Sequence, residues 1–250
     1  MIHSFNITIP PLTGDKERRG YIYLPDNYDT TDKLYPVMYM FDGRNVFYDK
    51  DATYGTSWGM SDYLEKNPTD IIIIAIDCND EGAMRLSEYA PFDFYYEPVG
   101  DIKAAGRKYM EWLTTSLKPA VDKELRTLND RTNTIICGSS MGGLMALYGA
   151  TAYNRFFNSA ICLSPSLWIA PDKLYDLLDK AKINPDTCIY MDYGSREMSN
   201  HEGTREALLE ATRLLVNKNV NATLRIIQGG THSEASWRKQ VPIFMKLLNF

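Results

Sequence analysis

The chain has 250 residues, long enough for one large α/β domain with a substantial core. Its 44% hydrophobic and 24% charged content is that of a globular protein in water, and a net charge of −5 argues against nucleic acid or an anionic membrane as its main partner. Cys78, Cys137, Cys162 and Cys188 lie in or beside strand-like runs with no CxxC pair, and Met1–Asn6 has no basic-then-apolar leader, so a cytoplasmic protein with reduced core cysteines and no metal site is expected.

Ser4–Ile9 alternates and stops at Pro10-Pro11; with Arg19–Pro25 it predicts an antiparallel strand pair across the Gly14-Asp15 turn. Pro36–Phe41 is a continuous apolar strand. Thr56 or Ser57 is placed to cap a helix reaching about Lys66, before Pro68. Ile71–Asp77 is β-branched and apolar almost throughout, as a strand covered on both faces requires. Cys78–Gly100 reads as a long irregular segment rich in aromatics, and long loops in compact domains are usually functional.

From Asp101 to Leu125 the apolar residues fall at helical spacing, with Pro119 set to kink or split the helix. Strands at Thr134–Gly138, Ser159–Ser164, Thr187–Tyr193 and Ala222–Ile227 then alternate with helices at Ser140–Thr151, Asp172–Ala181, about Gly203–Lys218 and Glu234–Leu248. No repeat or linker interrupts them. The expectation is a single α/β unit over residues 1–250, with a mostly parallel sheet of about eight strands and helices on both faces. Sites in such sheets lie at the carboxyl ends of the strands.

Gly138-Ser139-Ser140-Met141-Gly142 sits between a strand and a helix, which is the nucleophile-elbow pattern of α/β-hydrolases. A serine hydroxyl needs a histidine to take its proton and a carboxylate to orient that histidine. Of three histidines, His3 and His201 read as solvated or capping residues, whereas His232 follows the last strand directly. The acid belongs after the Thr187–Tyr193 strand: Glu197, on the loop, is favoured over Asp192, inside the strand.

An oxyanion needs two amide donors. Met141 supplies one, and the Asp42-Gly43-Arg44 turn the other, through Arg44 or else Gly43. The Arg44 guanidinium could meet an acidic substrate or simply face solvent. Trp168, Tyr89 and the Phe92–Tyr96 cluster with Tyr95 could wall an aromatic pocket, or equally pack a loop onto the body. Glu88 and Asp93 could meet substrate hydroxyls.

Tyr39-Met40-Phe41-Asp42-Gly43, the elbow through Gly143, Ser164-Pro165-Ser166-Leu167-Trp168, Gly194-Ser195-Arg196-Glu197 and Gly229-Gly230-Thr231-His232 together resemble the putative-esterase family. That family includes esterase D, feruloyl and acetyl-xylan esterases and ferric enterochelin esterase. The resemblance runs from about Tyr21 onward. It implies an α/β-hydrolase fold, Ser140 as nucleophile, His232 as base, oxyanion amides at Met141 and Arg44, and an acid at Glu197. Many members carry Asp there, and the Glu is closer to the enterochelin esterases.

The expectation is therefore a serine carboxylesterase acting without a cofactor on small soluble esters: acetyl, short-chain or hydroxycinnamoyl. Acyl transfer, siderophore or thioester hydrolysis, and a non-catalytic binding role are the alternatives. A homo-oligomer is left open.

Overall fold

The structure, a computed structural model, describes residues 1–248. The paired segments at the start form the hairpin β1 (Ile2–Thr8) and β2 (Glu17–Tyr23), with one helical turn, α1 (Pro10–Thr13), between them. The apolar runs become the inner strands β3 (Val37–Phe41) and β4 (Ile72–Ile76), buried at every position. A small separate hairpin, β5 (Phe94–Tyr96) and β6 (Gly100–Ile102), follows. Then come β7 (Thr134–Ser139), β8 (Ser159–Leu163), β9 (Cys188–Gly194) and β10 (Asn221–Ile227).

The main sheet has eight strands in the order β1-β2-β4-β3-β7-β8-β9-β10. β1 pairs antiparallel with β2, and β2 with β4; all other pairings are parallel. This is the expected α/β-hydrolase sheet.

The two-residue period of the strands divides the core into two layers. Val37, Tyr39 and Phe41 join Ile72, Ile74 and Ile76 on one face, while Met38, Met40, Ile73 and Ala75 join Ile135 and Cys137 on the other. α2 (Met60–Lys66) precedes β4, and α3 (Met84–Glu88) follows it. α4 (Gly106–Trp112), α5 (Lys118–Glu124), α6 (Met141–Ala152), α7 (Pro171–Lys180) and α8 (Thr204–Asn217) supply the first face. α9 (Glu234–Arg238) and α10 (Val241–Leu247) join α2 on the second. α6 packs against β7 and β8 and is buried nearly all round, so its sequence carries no polar stripe.

Local differences from the sequence reading have physical causes. Ser57 does not cap α2: its amide and hydroxyl both donate to Asp49, at 2.8 and 2.9 Å, and the helix starts at Met60 after a left-handed Gly59. The helix expected from Asp101 begins at Gly106, because the preceding residues close the β5–β6 hairpin. Pro119 neither breaks nor sharply splits it. The chain widens into a π-helical turn at Leu113–Leu117 between α4 and α5, which absorbs the hydrogen bond that proline cannot donate. The final helix divides at residues 239–240, since Pro242 has no N–H for the carbonyl of Arg238.

Candidate active site

The turn from β7 to α6 holds Ser140 at φ 57° and ψ −122°, backbone space that costs a non-glycine residue about 1–3 kcal/mol. Its amide donates to Leu163 O on β8 at 2.9 Å, fixing the turn against the sheet. A Cβ on Gly138 would lie 2.5 Å from the backbone of Gly142, so the strand can turn back over itself only because that side chain is absent.

Ser140 Oγ is 2.9 Å from His232 Nε2, and His232 Nδ1 is 2.5 Å from Glu197 Oε2. His232 comes from the loop after β10 and Glu197 from the loop after β9, as the chain order led us to expect. The two loops touch back to back: a Cβ on Gly194 would lie 2.5 Å from Gly230 and 2.7 Å from Glu197 Oε1. The other oxygen of Glu197 accepts from the Gly194 amide and the Ser164 hydroxyl, both at 2.6 Å, and Trp237 Nε1 donates in turn to Ser164 Oγ at 2.9 Å. The edge of the Trp237 ring system also meets His232, with centroids 5.1 Å apart.

Neither Ser164 nor Trp237 was assigned this supporting role from sequence. Ser164 lies in the Ser-Pro-Ser segment and takes a positive φ of 42°; Trp237 reads only as an apolar helix position. Ser166 brings a second hydroxyl to 3.5 Å from Ser140 Oγ.

Asp192 takes no part in this chain of contacts. Its carboxylate accepts from the Ser164 amide at 3.3 Å and the Tyr190 hydroxyl at 3.1 Å. Burial pushes the carboxyl up to about 7, against those two donors, and the Glu197 charge adds to the rise. The folded chain then keeps a proton here that the unfolded chain gives up near pH 3.9. Stability from this group is present at low pH and lost as pH rises toward about 7. Asp192→Asn is therefore expected to gain stability relative to the wild type between pH 5 and pH 8, measured as denaturant midpoints at each pH. A constant difference across that range would contradict the account.

The Asp42-Gly43-Arg44 turn lies beside the elbow, with Asp42 at φ 55°. Here the structure corrects one expectation. The Arg44 amide is already taken, donating to Asp77 Oδ1 at 2.6 Å. The Gly43 amide meets no protein acceptor among the described residues, and Met141, first residue of α6, has an amide with no partner inside the helix. The Arg44 guanidinium is not a free cation either, since Asp77 and Asp80 both hold it. Asp42 is gripped by Arg85 through two 2.7 Å bonds, and its amide donates to the Tyr89 hydroxyl at 3.2 Å.

A cavity of about 560 Å³ opens on Ser140 and His232, lined by Arg44, Asn45, Tyr54, Arg85, Glu234 and Trp237 among others. Tyr89, expected as a pocket wall, is 0% exposed and packs between Phe41 and Tyr109, so it supports the Asp42 turn from behind. Tyr95 and Trp168 do not line the cavity. Tyr95 is 64% exposed on the β5–β6 hairpin, and Trp168 is covered by Phe94, Tyr96 and the ring of His201, which stacks on it at 3.9 Å. His201 is thus held by an aromatic face rather than solvated, and His3 lies within β1. Glu88 pairs with Arg18 at 2.6 Å below the surface, and Asp93 closes the hairpin through Lys103 and the Ala104 amide. Among the described residues no group of three metal-ligating side chains occurs, and no helix is long and apolar enough to cross a membrane.

Comparison with known proteins agrees with this architecture. The family model described as "Putative esterase" matches residues 13–246. The uncharacterized protein YbbA of Bacillus subtilis (strain 168) is 21% identical over 199 residues, covering 78% of this chain and 75% of that protein. Among solved structures, a ferulic acid esterase superposes with a TM-score of 0.71 at 16% identity, over 99% of this chain and 97% of that one. The ferric enterobactin esterase of Salmonella typhimurium gives a TM-score of 0.74 at 18% identity, over 99% of this chain and 58% of that one. At these identities the two structures speak for the fold.

Proposed function

The chain belongs to the Putative esterase family, and on that premise we propose that it is a serine carboxylesterase working through an acyl-enzyme on Ser140. The observation that carries the reading is the unbroken contact chain from Ser140 Oγ through His232 to Glu197, at 2.9 and 2.5 Å.

In this mechanism His232 Nε2 takes the Ser140 proton as Oγ attacks the ester carbonyl. Glu197 keeps the histidine's other proton on Nδ1 and stabilises the imidazolium as it forms. The Met141 amide and the uncommitted amide of Gly43 receive the oxyanion. Arg44's amide could serve only after release from Asp77. His232 then protonates the departing alcohol, and water repeats the sequence to free the acid. The substrates are small soluble esters, and the cavity combines apolar surface with charged and hydroxyl side chains, which suits a small acyl or alcohol group that carries polar atoms.

A serine-directed fluorophosphonate tests the reading. It is expected to add once per chain, at the peptide containing Ser140, and to add more slowly in the presence of excess ester that the protein turns over. A wild-type protein that stays unlabelled while folded would overturn it.

A further inference from the structure

Glu234 lines the cavity that opens on Ser140 and His232, and it is 8% exposed. A carboxylate this far from water normally has a cation or several donors beside it. Here, among the described residues, no lysine, arginine or histidine nitrogen lies within ion-pair distance of it. Among the described residues its one hydrogen bond with another side chain is from Asn45 Nδ2, at a long 3.5 Å from Oε1. The two guanidinium groups of the cavity are committed elsewhere: Arg85 to Asp42, and Arg44 to Asp77 and Asp80. Two arginines therefore face the three lining carboxylates Asp42, Asp80 and Glu234, and the unanswered charge is the one two residues beyond His232. Burial raises the Glu234 carboxyl, and Asp42 adds to the rise, while its own amide, Arg85 and His232 oppose it.

We propose that Glu234 is a substrate-specificity residue that accepts a hydrogen bond from a donor group, an ammonium or a hydroxyl, on the ester bound at Ser140. This rests on the esterase reading above and narrows it: esters bearing such a donor are favoured, and esters bearing a carboxylate at that place are rejected. An alternative role, an acidic residue merely placed in the first turn of α9, predicts no such preference.

Arylboronic acids, which add reversibly to an activated serine, separate these possibilities. The probes are phenylboronic acids carrying aminomethyl, hydroxymethyl, methyl or carboxyl at the meta or para position, titrated calorimetrically against wild type, Glu234→Gln and Glu234→Leu. In the wild type, at least one aminomethyl or hydroxymethyl isomer is expected to bind about tenfold more tightly than its methyl counterpart, and the carboxyl isomer more weakly. That advantage should fall to within about twofold in Glu234→Leu, and for the aminomethyl probe in Glu234→Gln as well, since the glutamine amide oxygen still accepts from a hydroxyl but carries no charge for an ammonium; Glu234→Gln should also relieve the penalty on the carboxyl probe. Which donor gains more identifies an amine or a hydroxyl as the group recognised. Equal binding of all four probes by the wild type, or a preference unchanged in Glu234→Leu, overturns this inference and leaves the esterase reading standing. Failure of every probe to bind overturns both.

Discussion

Replacing Ser140 by alanine is expected to cut ester turnover by about 10⁶-fold, the scale seen when the nucleophile of a comparable serine enzyme is removed. The arrangement explains so large a loss. Without Oγ, His232 has no proton to take, and the hydrogen-bond chain to Glu197 serves nothing; only the amides of Met141 and the Asp42–Arg44 turn would still favour the tetrahedral state. The fold should hardly notice. Oγ contacts only His232 and the more distant Ser166 Oγ, and alanine meets the same strained backbone that serine does. The check is kcat with a p-nitrophenyl acetate or butyrate substrate, beside the melting temperature of both proteins. Turnover within tenfold of wild type in a folded Ser140→Ala variant would end the proposal.

Glu197→Gln is expected to cost about 10³- to 10⁴-fold in kcat while preserving shape. One carboxylate oxygen already accepts from two donors, the Gly194 amide and the Ser164 hydroxyl. A glutamine must keep its carbonyl oxygen there, which turns its NH₂ toward His232 Nδ1. The imidazole then has to present a lone pair at Nδ1 and carry its proton on Nε2, the atom that faces Ser140 at 2.9 Å. The base arrives already protonated. Asp192→Asn, five residues earlier in the chain, should leave turnover within a few fold, because Asp192 reaches Ser164 and Tyr190 and not the histidine. If the two variants lost activity equally, Glu197 would not be the orienting acid.

Much of this was legible from the sequence, and the rest was hidden for identifiable reasons. Strands such as Ile72–Ile76 announce themselves because both faces are buried, and the elbow glycines because local sterics require them. His232 and Glu197 could be found because chain order and strand ends constrain where partners of Ser140 can come from. The donor in the Asp42 turn could not be chosen in advance: a carboxylate 33 residues away decides which amide remains free. Tyr89 misled because an aromatic in a long loop has no periodicity to reveal that it turns inward, Tyr95 because nothing local shows that it faces outward on its hairpin, and Trp168 because the rings that cover it, Phe94, Tyr96 and His201, are far from it in sequence. Glu234 passed as an ordinary acidic start of a helix. Its position two residues past the histidine was the only available signal, and that no cation among the described residues pairs with it is a three-dimensional fact.

The 92 residues that separate Ser140 from His232 also set an order of events during synthesis. At about 5–20 residues per second, the elbow leaves the peptidyl-transferase centre roughly 5–18 s before the histidine does. Over that interval the nascent chain gains α6, β8 and β9, while the histidine that faces Ser140 Oγ in the finished fold has not yet been made. On the proposed mechanism, reactivity toward esters waits until β10 has joined the sheet edge and its following loop has settled against Gly194. On that mechanism a newborn chain stays chemically silent until its sheet is complete, and a chain stalled before residue 232 carries the serine without its base.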